Sequence, residues 1–224
     1  YRRYIYPLKQ KRVQDSIGHK GRNLTKLMNL DIPIPKTYVC DWHAYLDYLR
    51  NEHDLDQKLA KQIRRYIDPT KKYAVRSSAN MEDGLEHSFA GQFETILDVQ
   101  GEHQILGAIK SVWDSAKSPE VQSYIKKKNI ETHELFMAVL IQEMVSSIVS
   151  GVALSRNPIT GANEIIVEAV PGEGDQLVQT GVTPHRWLYK FGCWIEKDEQ
   201  TDISLKLIES VVDQVRDIEL DLGY

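Results

Sequence analysis

The sequence predicts a mixed α/β fold, on three observations. Short β-type segments alternate with amphipathic helical ones along the chain. Phe136 to Ile141 is a continuous apolar run, as expected of a strand buried on both faces. The 224 residues, 42% hydrophobic and 27% charged, suffice for one large domain or two small lobes around a substantial core.

Composition narrows the function classes. A formal net charge of −4 argues against a broad nucleic-acid-binding surface but leaves room for a local basic pocket. The two cysteines, Cys40 and Cys193, form no C-x-x-C pair, so neither a disulfide framework nor a zinc site is indicated. A reducing cytosol is the natural compartment for such a chain. No run approaches 18 apolar residues and the start has no signal-peptide core, so no membrane partner is expected. The first residue is not methionine, which reads as a fragment of a longer protein.

Taken in order, a polar start leads through Asp15–Gly21 into a helix over Arg22 to Leu30, with Leu24, Leu27 and Met28 on one face. Gly18 and Gly21 around Lys20, at a loop-to-helix junction, suit an anion because the helix N-terminus supplies free N–H groups. A plain surface lysine fits the same residues, and the G-x-x-x-x-G-K-[ST] pattern of a P-loop is absent. Ile32-Pro33-Ile34-Pro35 forces an extended segment that feeds a strand at Thr37 to Val39. Asp41 is a good N-cap for a helix reaching about His53, with Ala44, Tyr45, Tyr48 and Leu49 on its packing face. Leu55, Leu59, Ile63 and Ile67 mark a second helix, ended by Asp68-Pro69.

The stretch from Tyr73 to Val99 organises the chain. Tyr73-Ala74-Val75 is a short apolar strand that meets a charge at Arg76, and Phe93, Thr95, Leu97 and Val99 give a second strand of period 2. Between them lies a long segment of small and polar residues, longer than a hairpin needs, and connections of that length are usually functional or disordered. Backbone N–H groups, hydroxyls and a guanidinium here would suit an anion. A solvated loop with one surface arginine accounts for the same residues.

Beyond it, Ile105, Ile109, Val112, Trp113 and Ala116 mark an amphipathic helix, and Ser118-Pro119-Glu120 starts another with serine as cap and proline at the first helical position. Lys126 to Lys128 reads as the solvated end of that helix. Further strands are expected at Phe136–Ile141, Ile148–Leu154, Glu164–Val170, Leu177–Gln179 and Trp187–Phe191, giving β-meander character between 136 and 197. A helix from about Asp202, with Leu205, Ile208, Val212, Val215 and Leu222 on one face, closes the chain.

Each motif alone is weak, but their order is specific. Gly18-His19-Lys20-Gly21, Ile32-Pro33-Ile34-Pro35, Val75-Arg76-Ser77-Ser78-Ala79 with Glu82-Asp83, and Phe89-Ala90-Gly91-Gln92 follow one another. Val139–Val145, Ser150-Gly151-Val152-Ala153, Asn157-Pro158-Ile159-Thr160-Gly161 and Val178–Pro184 continue the series. In this order they resemble the ATP-binding domain shared by phosphoenolpyruvate synthase, pyruvate phosphate dikinase and rifampicin phosphotransferase, across essentially the whole chain.

The resemblance implies an ATP-grasp fold, two α/β lobes with mixed or antiparallel sheets enclosing a nucleotide cleft. The chain would be a single such domain, 1–224, with lobes near 1–105 and 106–200 and a closing helix at 202–222. The resemblance implies that Lys20 and Arg76 contact ATP phosphates and that Ser88, Ala90, Gly91 and Gln92, with Thr95 behind them, form a phosphate cover. Gln142, Glu143, Met144 and Val145 would be the adenine-side strand, its backbone reading the base edge, and Glu168 a ribose ligand. Implied too are Mg2+ and partner domains of a parent protein, one carrying a phosphohistidine and one binding pyruvate. In a synthase, ATP would phosphorylate the histidine of a swivelling domain, which relays the group to pyruvate.

Some residues depart from the family pattern. His19 stands where a second glycine is usual, His185 where an aspartate is common, and the Gly172–Gly181 loop is one residue longer, with Asp175 in the place of a glutamate. The family's Asp-x-Glu metal strand would lie past Tyr224, because Asp217-Ile218-Glu219 has helical spacing. None of the seven histidines has the carrier motif, so the chain is expected to be C-terminally incomplete and to lack full turnover. An ATP-grasp pair that binds nucleotide or a partner without transfer is the alternative. A carboxylate–amine ligase shares the fold but not this motif order.

Overall fold

The computed structural model describes residues 2–81, 93–127, 135–174 and 183–222. The chain divides into two units, Tyr1–Met144 and Val145–Tyr224.

In the first unit the order is β1 (Ile5–Pro7), a 3₁₀ turn (Lys11–Ser16), α1 (Gly18–Asn29), β2 (Thr37–Cys40), α2 (Trp42–Leu49) and α3 (Leu55–Tyr66). β3 (Lys72–Ala79), β4 (Thr95–Gln100), α4 (Gly101–Ser115), α5 (Pro119–Lys127) and β5 (Met137–Glu143) follow. The five strands form one antiparallel sheet in the order β1-β2-β5-β3-β4. β5 is central, as its apolar run requires, with Met137 to Ile141 buried on both faces.

Strand alternation sorts this sheet into two faces. Tyr38, Cys40, Tyr73, Val75, Met137, Val139 and Ile141 share a core with α2–α5, where Trp113 is fully buried. Val39, Ala138 and Leu140 point the other way, onto Leu8, Val13, Ile17 and the apolar side of α1. Ile105, Ile109, Val112 and Trp113 of α4 belong to the first core. The first unit, ending at Met144, therefore contains the whole of α4.

Several element ends differ from expectation, each for a local reason. α1 starts at Gly18, four residues before the predicted helix, so the glycines lie in its first turn and not in a preceding loop. α2 stops at Leu49, short of His53. There Asn51 takes φ 55°, Asn51 N–H donates to the Tyr48 carbonyl and Glu52 N–H to the Asp47 carbonyl, a Schellman ending. Asp31 (φ 56°) ends α1 in the same way, with Ile32 N–H on the Leu27 carbonyl. Asp41 makes no side-chain cap on α2, because its Oδ2 lies 3.2 Å from His43 Nδ1 instead. Ser118 does cap α5, accepting from Val121 N–H at 3.3 Å.

The second unit is the expected meander: β6 (Val149–Leu154), β7 (Ile165–Pro171), β8 (His185–Lys190) and β9 (Cys193–Glu196), all antiparallel, followed by α6 (Leu205–Leu222). Ile165, Val167, Ala169 and Trp187 form its core with Ile203 and with Ile208 and Val212 of α6. Asp217 and Glu219 lie within α6, as their helical spacing required. The strand expected at Leu177–Gln179 and the residue Lys128 lie outside the described residues. No helix among the described residues is long and apolar enough to cross a membrane.

Candidate functional site

The start of α1 is seated on β3. Ser78 is fully buried; its Oγ donates to the Ile17 carbonyl at 2.6 Å and accepts from Gly21 N–H at 3.0 Å. Gly18 takes φ 69°, and a Cβ there would lie 1.9 Å from the Ser78 carbonyl oxygen. Only glycine allows this backbone approach. Lys20, in the first turn, donates from Nζ to Ser77 Oγ at 3.4 Å, so its amine reaches the residue next to Arg76 in β3. The apolar run ending at Val75 puts Ser77 and Ser78 in the polar segment after the strand; in the structure β3 runs to Ala79 and both are buried strand residues. Ser78→Ala removes both hydrogen bonds from a buried junction and is expected to cost ~1–3 kcal/mol, read as a lower denaturant midpoint.

Arg76 is half-buried and lies opposite Leu140 of β5 and Thr95 of β4, the latter exposed. Its guanidinium donates to Gln142 Oε1 at 3.3 Å. Gln142 is 9% exposed and sits directly opposite Thr37, to whose Oγ1 its Nε2 donates at 3.0 Å. By strand alternation Arg76, Gln142, Thr37 and Thr95 share the sheet face onto which α1 packs.

Glu143 is held by lysines, Lys71 Nζ at 2.7 Å and Lys36 Nζ at 3.9 Å. The hydrogen bond to Glu143 raises the Lys71 pKa. Glu143 N–H donates to the Lys36 carbonyl and Met144 N–H to the Lys72 carbonyl, both at 2.9 Å. These two donors are thus committed to Lys36, just before β2, and to Lys72, the first residue of β3. Val145, 61% exposed, begins the second unit.

In that unit Glu168 is half-buried on β7, opposite Val152 and Arg186, on the sheet face away from the α6 core. With Thr183, Arg186, Lys197 and Asp198 it lines a cavity of about 670 Å³. Gly151 allows β6 to approach closely here, since a Cβ on it would lie 2.7 Å from the Glu168 carbonyl oxygen. His185, at the departure from the family pattern, has Nδ1 2.7 Å from Asp198 Oδ2, and that hydrogen bond lowers the Asp198 pKa.

Ser88, Ala90, Gly91 and Gln92 lie outside the described residues. Lys20, Arg76, Thr95, Gln142, Glu143 and Met144 fall in the first unit, Val145 and Glu168 in the second. From the sequence Thr37 is only the start of a strand, and Ser77 and Ser78 are only members of a polar motif, because a strand hydroxyl carries no further signal until its partner is known.

Residues 52–217 match the family described as pyruvate phosphate dikinase, AMP/ATP-binding domain. The chain belongs to this family. It is similar to the probable phosphoenolpyruvate synthase of Archaeoglobus fulgidus, 31% identical over 214 residues that cover 77% of this chain and 28% of the relative. It is also similar to the phosphoenolpyruvate synthase of Aeropyrum pernix, 43% identical over 116 residues, 51% of this chain and 14% of the relative. The uncharacterized phosphotransferase YvkC of Bacillus subtilis is 31% identical over 191 residues, 76% of this chain and 23% of the relative. The chain spans less than a third of the length of these relatives. The α/β architecture with antiparallel sheets agrees with the ATP-grasp fold that the sequence resemblance implied.

Among the described residues, no three His, Cys, Asp or Glu side chains are grouped to hold a metal ion.

Proposed function

We propose that this AMP/ATP-binding domain holds ATP for a phosphoenolpyruvate-synthase-like phosphotransfer, with Lys20 and Arg76 on the phosphates. The phosphate would pass to a histidine on a separate swivelling domain and then to pyruvate or a similar acceptor. In a synthase, ATP, pyruvate and water would give AMP, phosphate and phosphoenolpyruvate. The observation that carries the reading is the seat of α1 on β3, which ties a first-turn lysine to the residue beside a half-buried arginine.

The chemistry supports it. Phosphoryl transfer asks for positioning and charge neutralisation more than for covalent help from the protein. The planar fork of an arginine suits two phosphate oxygens, while a lysine acts as a point charge, and a helix N-terminus adds a favourable dipole. In the same reading Gln142 to Val145 lie along the adenine, Glu168 meets the ribose, and the segment holding Ser88 to Gln92 covers the phosphates. Mg2+ would come with the nucleotide and neutralise further charge. The partners would be the phosphohistidine-carrying and pyruvate-binding domains.

Calorimetry of ATP against the 224-residue chain tests the binding half. Saturable binding is expected, and its absence at millimolar ATP ends the reading. Adding a separately produced carrier domain from a phosphoenolpyruvate synthase, with ATP labelled at the β-phosphate, tests transfer. Acid-labile label on the carrier histidine is the expected result. Binding without label would make this chain a nucleotide-binding module and no more.

A further inference from the structure

Arg76 does not stand alone on its sheet face. Its guanidinium donates to Gln142 Oε1 at 3.3 Å, Gln142 Nε2 donates to Thr37 Oγ1 at 3.0 Å, and Thr37 Oγ1 donates to the Pro35 carbonyl at 2.8 Å. The three side chains come from β3, β5 and β2, and the series ends on main chain in the Ile32–Pro35 segment.

Each link has a direction. A threonine hydroxyl has one proton, and here it is committed to a backbone carbonyl, so Oγ1 faces Gln142 as an acceptor. Only the amide nitrogen of Gln142 can satisfy that acceptor, which turns the amide oxygen toward Arg76. An amide with the opposite orientation would present N–H donors to a guanidinium that has only donors. Thr37 and Gln142 are 7% and 9% exposed, so water does not readily substitute for either partner.

We propose that Thr37 is a positioning residue: its hydroxyl fixes the amide orientation of Gln142, and through it the direction of the Arg76 guanidinium. This rests on the reading of Arg76 as a phosphate contact. Thr37 touches no reacting group; it removes rotamer freedom from an arginine that would otherwise have to be ordered when the nucleotide arrives.

Thr37→Val keeps the shape and the strand preference but deletes the hydroxyl. ATP affinity is expected to fall about 3- to 10-fold, the worth of one ordered hydrogen bond, and Thr37→Ser is expected to restore it. Because Thr37 acts through Arg76, the loss should vanish in the Arg76→Met background and should not extend to adenosine, which has no phosphate. Should Thr37→Val fail to fold, Thr37→Cys, a weak donor of similar size, takes its place with the same selective loss expected.

Unchanged ATP affinity in Thr37→Val, while Arg76→Met binds ATP weakly, overturns the positioning role and leaves the ATP reading intact. An equal loss for adenosine, or a loss that persists in the Arg76→Met background, also overturns it, since that is what a merely structural threonine would produce. A parent chain that does not bind ATP overturns both.

Discussion

Replacing Arg76 with methionine is expected to weaken ATP binding roughly 10- to 100-fold, the equivalent of one charged hydrogen bond of ~1.5–3 kcal/mol. Methionine keeps most of the unbranched stem, so the change removes the guanidinium and little of the packing. Among the described residues that guanidinium donates to the Oε1 of Gln142, which retains its amide contact with Thr37. The fold should therefore survive, and the denaturant midpoint should move little. Titration calorimetry on parent and variant, with adenosine as the phosphate-free control, separates the effects. A variant that binds ATP as tightly as the parent removes Arg76 from the site.

Gly18→Ala is expected to be the most damaging glycine-to-alanine change among the described residues of the first unit. The new Cβ would lie 1.9 Å from the Ser78 carbonyl oxygen and 2.6 Å from Ser78 Oγ, in a residue held at φ 69°. A left-handed alanine costs ~1–2 kcal/mol. Overpacking against main chain that cannot swing aside adds ~1–3 kcal/mol. A loss of about 2–5 kcal/mol should lower the denaturant midpoint of the first unit without changing the slope. If α1 instead lifts off β3 to relieve the clash, Lys20 moves with it, and ATP affinity falls at temperatures where the protein is still folded. An unchanged midpoint together with unchanged affinity would mean that the α1–β3 seat is not as close as described.

The two variants probe different levels of the same site. One removes a charge from an intact frame; the other disturbs the frame and moves a charge with it. Their ratio of binding loss to stability loss should differ accordingly, large for Arg76→Met and small for Gly18→Ala.

Much of the fold could be read directly. The apolar run at 136–141 marked the central strand, the 3.6-residue periodicities marked α3, α4 and α6, and Ser118-Pro119 marked the start of α5. β1 and β9, of three and four residues, were too short for a period to declare itself. The end of α2 escaped because Asn51 terminates it by adopting left-handed backbone, which non-glycine residues do only in a particular tertiary setting, whereas for α1 the end near Leu30 was legible and the start at Gly18 was not. Asp41 looked like a cap by residue type, yet its carboxylate turned to His43.

The candidate site divides in the same way. The motif order around Lys20, Arg76 and Gln142 pointed to the family, because each residue type has a chemical reason to meet a nucleotide. That Ser78 clamps the start of α1, that β3 continues through the two serines, and that Thr37 sits across from Gln142 are facts of register. The sequence by itself determined the α/β class, the central buried strand and the residues that identify the family, since hydrophobic period and side-chain chemistry are local properties. Only the tertiary structure decided which hydroxyl faces which amide, because pairing across a sheet joins residues as far apart as 37 and 142, and no local pattern specifies such a pair.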